Sequence, residues 1–121
     1  MASEDDVRRI ALALPATYEQ LAYGTPSWRT KPRMFARMHE QPGLLICWVP
    51  DLGDKQALLD EDPGLFSTTP HYDGHPVVLV RLRAMDEARL TEMLTDAWRS
   101  RAPERIVREW EEDRRHGRSS A

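Results

Sequence analysis

The chain has 121 residues, 40% of them hydrophobic and 31% charged, and a formal net charge of −3. That is length for one domain with a core, and no apolar run approaches the roughly 18 to 20 residues that a membrane-spanning helix needs. An anionic chain lacks the basic excess of a general nucleic-acid binder, so any such role requires a local patch of positive charge.

Ser3 is suited to cap a helix, and Glu4, Asp5 and Asp6 suit the positive end of its dipole. Val7, Ile10, Ala11 and Leu14 then recur at helical spacing up to Pro15. This acidic start leads into no apolar stretch, so it does not read as a secretory signal, and a cytoplasmic location is expected. From Tyr18 to Met38 the texture changes. Gly24 and Pro26 interrupt it, and Lys31-Pro32 suggests a tight turn. Ser27 to Thr30 and Arg33 to His39 read as a hairpin, with Met34, Ala36 and Met38 on one face and Phe35 and Arg37 on the other. After Gln41-Pro42-Gly43, Leu44 to Val49 reads as a strand covered on both faces. Its Cys47, alone in the chain, can form no internal disulfide; a buried inert thiol is expected there.

Asp54 is a candidate cap for a short helix from Lys55 to about Glu61, with Leu58 and Leu59 inward. Pro63-Gly64 turns the chain, and Leu65 and Phe66 anchor the next loop. That stretch, Thr68-Thr69-Pro70-His71-Tyr72-Asp73-Gly74-His75-Pro76, is a loop by composition, and Val77 to Leu82 is a β-branched central strand. Alternation puts Val78, Val80 and Leu82 on one face and Val77, Leu79 and Arg81 on the other. Asp86 then caps the clearest helix, whose stripe is Leu90, Met93, Leu94, Ala97 and Trp98. Pro103 opens a last helix with Ile106, Val107 and Trp110 as a narrow stripe. The expectation is a single domain over 1–115 with a flexible tail over 116–121. Its class is α+β, in two layers: an antiparallel sheet with helices on one face.

Several segments together resemble the MmcQ/YjbR family. They are Ala11-Leu12-Ala13-Leu14-Pro15, Arg33-Met34-Phe35-Ala36-Arg37, Asp62-Pro63-Gly64-Leu65-Phe66 and the loop and strand from Thr68 to Leu82. Their spacing matches from about Glu4 to Trp98; Phe35, Phe66 and His75 fall at characteristic positions. Arg33 stands where many members have lysine, and Pro76 where many have tryptophan. The resemblance implies a curved antiparallel sheet like that of bacterial secretion chaperones, sometimes compared with the double-wing DNA-binding module. Members are commonly labelled DNA-binding.

Three constellations are candidates for function. First, no acidic residue lies between Glu19 and Glu40, while Arg29, Lys31, Arg33 and Arg37 do, interleaved with Trp28 and Phe35. Arg81 and Arg83 extend this strip if their strand is adjacent. Such a hairpin face can pair guanidinium groups with phosphates; about four to six contacts would give a salt slope of roughly −4 to −5. The competing reading is a solvated face neutralised by Asp60, Glu61 and Asp62. Second, His71, Asp73 and His75 share a loop and offer a candidate ligand site, although no helix there holds two imidazoles on one side. Third, Trp98 and Trp110 read as core, whereas Trp28 is a candidate surface anchor for a partner. No phosphate-cradling glycine loop, nucleophile elbow or paired carboxylate motif occurs, so no catalytic residue, metal or cofactor is expected. The expected function is binding of DNA or another nucleic acid by the arginine-bearing hairpin; the alternative is a protein-interaction module or homodimer, with no membrane partner.

Overall fold

In the computed structural model, which describes residues 1–117, Ser3 starts the first helix. Its hydroxyl accepts the Asp6 N–H while the Asp6 carboxylate accepts the Ser3 N–H, which satisfies donors that a helix start otherwise leaves open. Helix α1 (Glu4–Leu12) buries Val7, Ile10 and Ala11, the stripe that the spacing predicts. Strands β1 (Tyr18–Ala22), β2 (Thr25–Arg29), β3 (Met34–Met38) and β4 (Leu44–Trp48) come next, then α2 (Leu52–Glu61) and the two-residue β5 (Phe66–Ser67). A short 3-10 turn at Pro70–Tyr72 precedes β6 (Val77–Arg81), and α3 (Glu87–Arg101) and α4 (Glu104–Arg115) close the fold. Of the expected tail, His116 closes α4 and residues 118–121 lie outside the described residues.

The strands form one open sheet in the order β1-β2-β3-β4-β6-β5, antiparallel throughout. The class is therefore α+β, with a curved antiparallel sheet as expected. One face carries the main core: Trp28, Phe35, Ala36, Met38, Leu45, Cys47, Val78 and Val80 meet apolar residues of α1 and α3. Leu58 and Leu59 of α2 and Ile106, Val107 and Trp110 of α4 pack against the same cluster. Val78, Val80 and Leu82 fall on this side as alternation requires. Full burial of each such side chain contributes roughly 1.5–3 kcal/mol. Inside this core, burial pushes the Cys47 thiol up to about 12, with the Asp96 charge adding to the shift, so the thiol stays protonated and inert.

The opposite face carries no helix. Ile46, Val77 and Leu79 are buried there under Tyr72, which the 68–76 loop lays across the sheet. Two sequence expectations change on this face. The hairpin read from Ser27 to His39 is the middle of a larger meander, because β1 adds an edge strand. A bulge also breaks the alternation in β3. Trp28 pairs with Ala36 but Arg29 pairs with Met34, leaving Phe35 as the extra residue. Phe35 thus turns into the core with Ala36 and Met38, and Met34 moves to the helix-free side beside Arg37.

Candidate functional site

The bulge sets the polarity of the helix-free face. With the register reset, β2 presents Ser27 and Arg29, β3 presents Met34 and Arg37, and β4 presents Ile46 and Trp48 on one side. Arg33 comes from the Thr30–Arg33 turn, closed by the Thr30 N–H to the Arg33 carbonyl at 2.9 Å, with a cis peptide at Lys31-Pro32. A groove of about 700 Å³ opens over these residues. Its floor and near wall are Arg29, Pro32, Arg33, Met34, Arg37 and Trp48. Tyr23, His39 and Glu40 stand at one side, Thr69, His71 and Tyr72 at the other, and Arg101 reaches in from the end of α3.

The guanidinium groups differ in what holds them. Arg37 is 8% exposed. It donates to Thr25 Oγ1 at 2.9 Å, lies 3.6 Å from the Glu40 carboxylate and sits 5.2 Å from the centre of the Tyr23 ring. Glu40's carboxyl is held below the usual carboxylate range, first by its own backbone N–H and then by Arg37. Arg101 donates from Nε to the Met34 carbonyl at 2.9 Å and stacks 5.0 Å over Trp48. Burial, and then the neighbouring charge of Arg33, lowers its affinity for a proton below the ordinary arginine value. Burial is the larger cause, and the Arg33 charge adds to it. Arg29 and Arg33 have no ion-pair partner among the described residues. Among the described residues, Glu40 is the one acidic residue lining the groove.

The six-cation strip expected from sequence is therefore split. Arg29, Arg33 and Arg37 converge, but Arg37 is already engaged. Lys31 is exposed at the tip of its turn and does not line the groove. Arg81 lies across the sheet, donating to the Gly64 carbonyl at 3.2 Å, and Arg83 borders a separate hollow with Ser3, Pro42 and Gly43. Asp60, Glu61 and Asp62 do not neutralise the hairpin: Glu61 pairs with Arg89 of α3 instead. Trp28 is not a surface anchor. It is 0% exposed, and its indole N–H donates to Glu19 at 3.0 Å.

The 71–75 loop does not bring its three polar side chains to one place. His71 faces the groove, its ring edge-on to Tyr72 at 4.7 Å, while Asp73 and His75 do not line it. Among the described residues, no three His, Cys, Asp or Glu side chains gather as a metal would need. The loop is held from below by Lys55, whose Nζ donates to the Tyr72 carbonyl at 2.6 Å and the His75 carbonyl at 3.0 Å. Sequence reasoning missed Arg101, Tyr23, Trp48 and Lys55. Tyr23-Gly24 carried a usable signal, since a glycine at the second position of a two-residue link marks a hairpin turn. Arg101 carried none beyond a basic helix end.

Fold and groove together define a class: a small α+β protein with helices on one side of its sheet and an arginine-lined depression on the other. The chain belongs to the YjbR family, whose family model matches residues 12–100. Similar proteins include the uncharacterized protein Rv2570 of Mycobacterium tuberculosis and the uncharacterized protein Mb2600 of Mycobacterium bovis. Each is 37% identical in an alignment that covers 88% of this chain and 94% of the relative. No solved structure gives a significant match. No helix among the described residues is long and apolar enough to cross a membrane.

Proposed function

We propose that this protein binds nucleic acid, as a non-enzymatic cytoplasmic module, by seating phosphates in the groove of the helix-free face. One observation carries the reading: Arg29, Arg33 and Arg101 converge on a single concave surface, and among the described residues no carboxylate forms an ion pair with any of them. Guanidinium groups in this state offer charge-assisted, often bidentate hydrogen bonds to phosphate oxygens. Arg101 is already oriented by its bond to the Met34 carbonyl, which reduces the ordering cost of binding. The likeness to double-wing DNA-binding modules, implied by the family resemblance, belongs to the same proposal.

The test is fluorescence anisotropy of a labelled oligonucleotide in low-salt buffer, with the chain and with the double variant Arg29→Ala, Arg33→Ala. Binding by the parent chain and a loss of about 100-fold or more in the double variant are expected, each contact being worth about 1.5–3 kcal/mol. Absence of binding removes the function, and unchanged binding by the variant removes the site. A second reading, a protein-interaction module, is favoured by one feature. Strand β1 is an open edge of the sheet and exposes 69% of Leu21, so it offers a template for a partner strand. Concentration-dependent dimers that persist in Arg29→Ala, Arg33→Ala would support it.

A further inference from the structure

We propose that the groove takes a single-stranded segment rather than a duplex, and that Tyr23 is the platform on which one of its bases stacks. This rests on the phosphate reading above and adds the class of nucleic acid to it. The first argument is shape. Arg29 is half-buried and Arg101 partly so, between the Tyr23 turn on one side and the Thr69–Tyr72 segment on the other. A duplex presents its phosphates on a stiff convex surface with its bases stacked inside. A single strand can lower a phosphate into a depression and turn a base outward.

The second argument is Tyr23 itself. It occupies the first position of the two-residue link between β1 and β2, with φ +54°, and Gly24 comes next at φ +84°. Positive φ at both central residues is the type I′ geometry, which Asn-Gly meets with least strain; a bulky side chain is an outlier there. Tyr23 is nevertheless 84% exposed, so it gives the core nothing in return. What it does have is support on one face. The Arg37 guanidinium lies 5.2 Å from the ring centre and is itself fixed by Thr25 Oγ1, whose hydroxyl donates to the Ala22 carbonyl across the same turn. Arg37, assigned from sequence to phosphate contact, thus braces an aromatic ring whose other face is open. A strained, exposed, braced aromatic at the rim of a cationic groove matches the chemistry of a nucleobase, flat and sequence-tolerant in stacking.

The experiment compares a short labelled thymidine strand, a duplex of the same length, and inorganic polyphosphate as a competitor without bases. The chain is tested beside Tyr23→Asn, Tyr23→Phe and Arg29→Ala, Arg33→Ala. The single strand should bind about ten-fold or more tighter than the duplex. Tyr23→Asn should weaken the strand about ten-fold with little change in competition by polyphosphate, and should melt no lower than the parent; Tyr23→Phe should restore the affinity. A duplex bound as well as the strand, or Tyr23→Asn binding the strand like the parent, overturns this inference. If the arginine variant still loses binding in that case, the phosphate reading stands without the base platform. If neither variant changes anything, or the parent binds nothing, both readings fall.

Discussion

Lys55 is 6% exposed and has no ion-pair partner among the described residues; its ammonium is held by two backbone carbonyls, those of Tyr72 and His75. A buried charge is costly unless its donors are satisfied, so this arrangement is tolerable because both acceptors sit on one tight turn. Each carbonyl also accepts a backbone N–H, from His75 and Val77 respectively, so Lys55 adds a second bond to each. The consequence reaches the groove, because the same turn carries Thr69, His71 and Tyr72 into its wall. Lys55→Met keeps the length and the packing of the stem but removes both bonds. Stability should fall by about 2 kcal/mol, the scale for hydrogen bonds to a charged donor less the relief of burying no charge. Urea unfolding measures the loss, and hydrogen exchange should quicken at the amides of Asp73, His75 and Val77. Exchange unchanged there would show that the loop is held by its own turns and by Tyr72 alone.

At the scale of elements, helix α2 shows how a local rule can select the wrong residue. Asp51 and Asp54 are both of a residue type that caps helices, and the sequence reading places the cap at Asp54. The helix begins a turn earlier: Asp51 accepts the Asp54 N–H at 2.8 Å, and Asp54 lies within the first turn. Asp51→Ala should therefore cost about 1 kcal/mol, the usual worth of a side-chain cap. Asp54→Ala should cost about half of that or less, since only its charge near the helix start is lost. Equal losses in thermal or urea unfolding would restore Asp54 as the cap.

The same scale explains what the sequence could reveal. Strands β4 and β6 and helix α3 were legible because burial imposes an unbroken or periodic apolar pattern on them. Strand β1 was not, because an edge strand exposing Glu19, Gln20 and Leu21 needs no such pattern. The two residues of β5 are too few to show one. The bulge at Phe35 was invisible for another reason: one inserted residue exchanges the faces of Met34 and Phe35, and both are apolar. The arginine cluster was half legible. Its hairpin members lie close in sequence, whereas Arg101 arrives by tertiary contact alone.

For the whole molecule, the question is how a chain of net charge −3 presents a cationic surface. The described ion pairs answer it. Arg8 pairs with Glu4, Asp5 and Glu19, Arg9 with Asp6 and Glu87, Arg89 with Glu61, and Arg99 with Glu111. Arg105 and Arg108 pair along α4 with Glu109 and Glu104. Such exposed pairs contribute little stability each, but they confine most helix arginines to the helical side. The groove keeps Arg29, Arg33 and Arg101 outside that neutralisation, and under the proposed function these are the groups whose phosphate contacts would release counterions. Three phosphate contacts on a single strand give a slope of about −2 in log affinity against log salt. From low to physiological salt, a four-fold rise in concentration should then weaken binding by about 20-fold. A six-cation strip on single-stranded nucleic acid would give about −4, so the slope separates the convergent groove from the full strip. Arg81→Ala and Arg83→Ala should leave the slope unchanged, while Arg101→Ala should lower its magnitude by about 0.7. A slope near −4 that falls when Arg81 or Arg83 is removed would mean that the bound strand leaves the groove and crosses the sheet, and the site would have to be redrawn around β6.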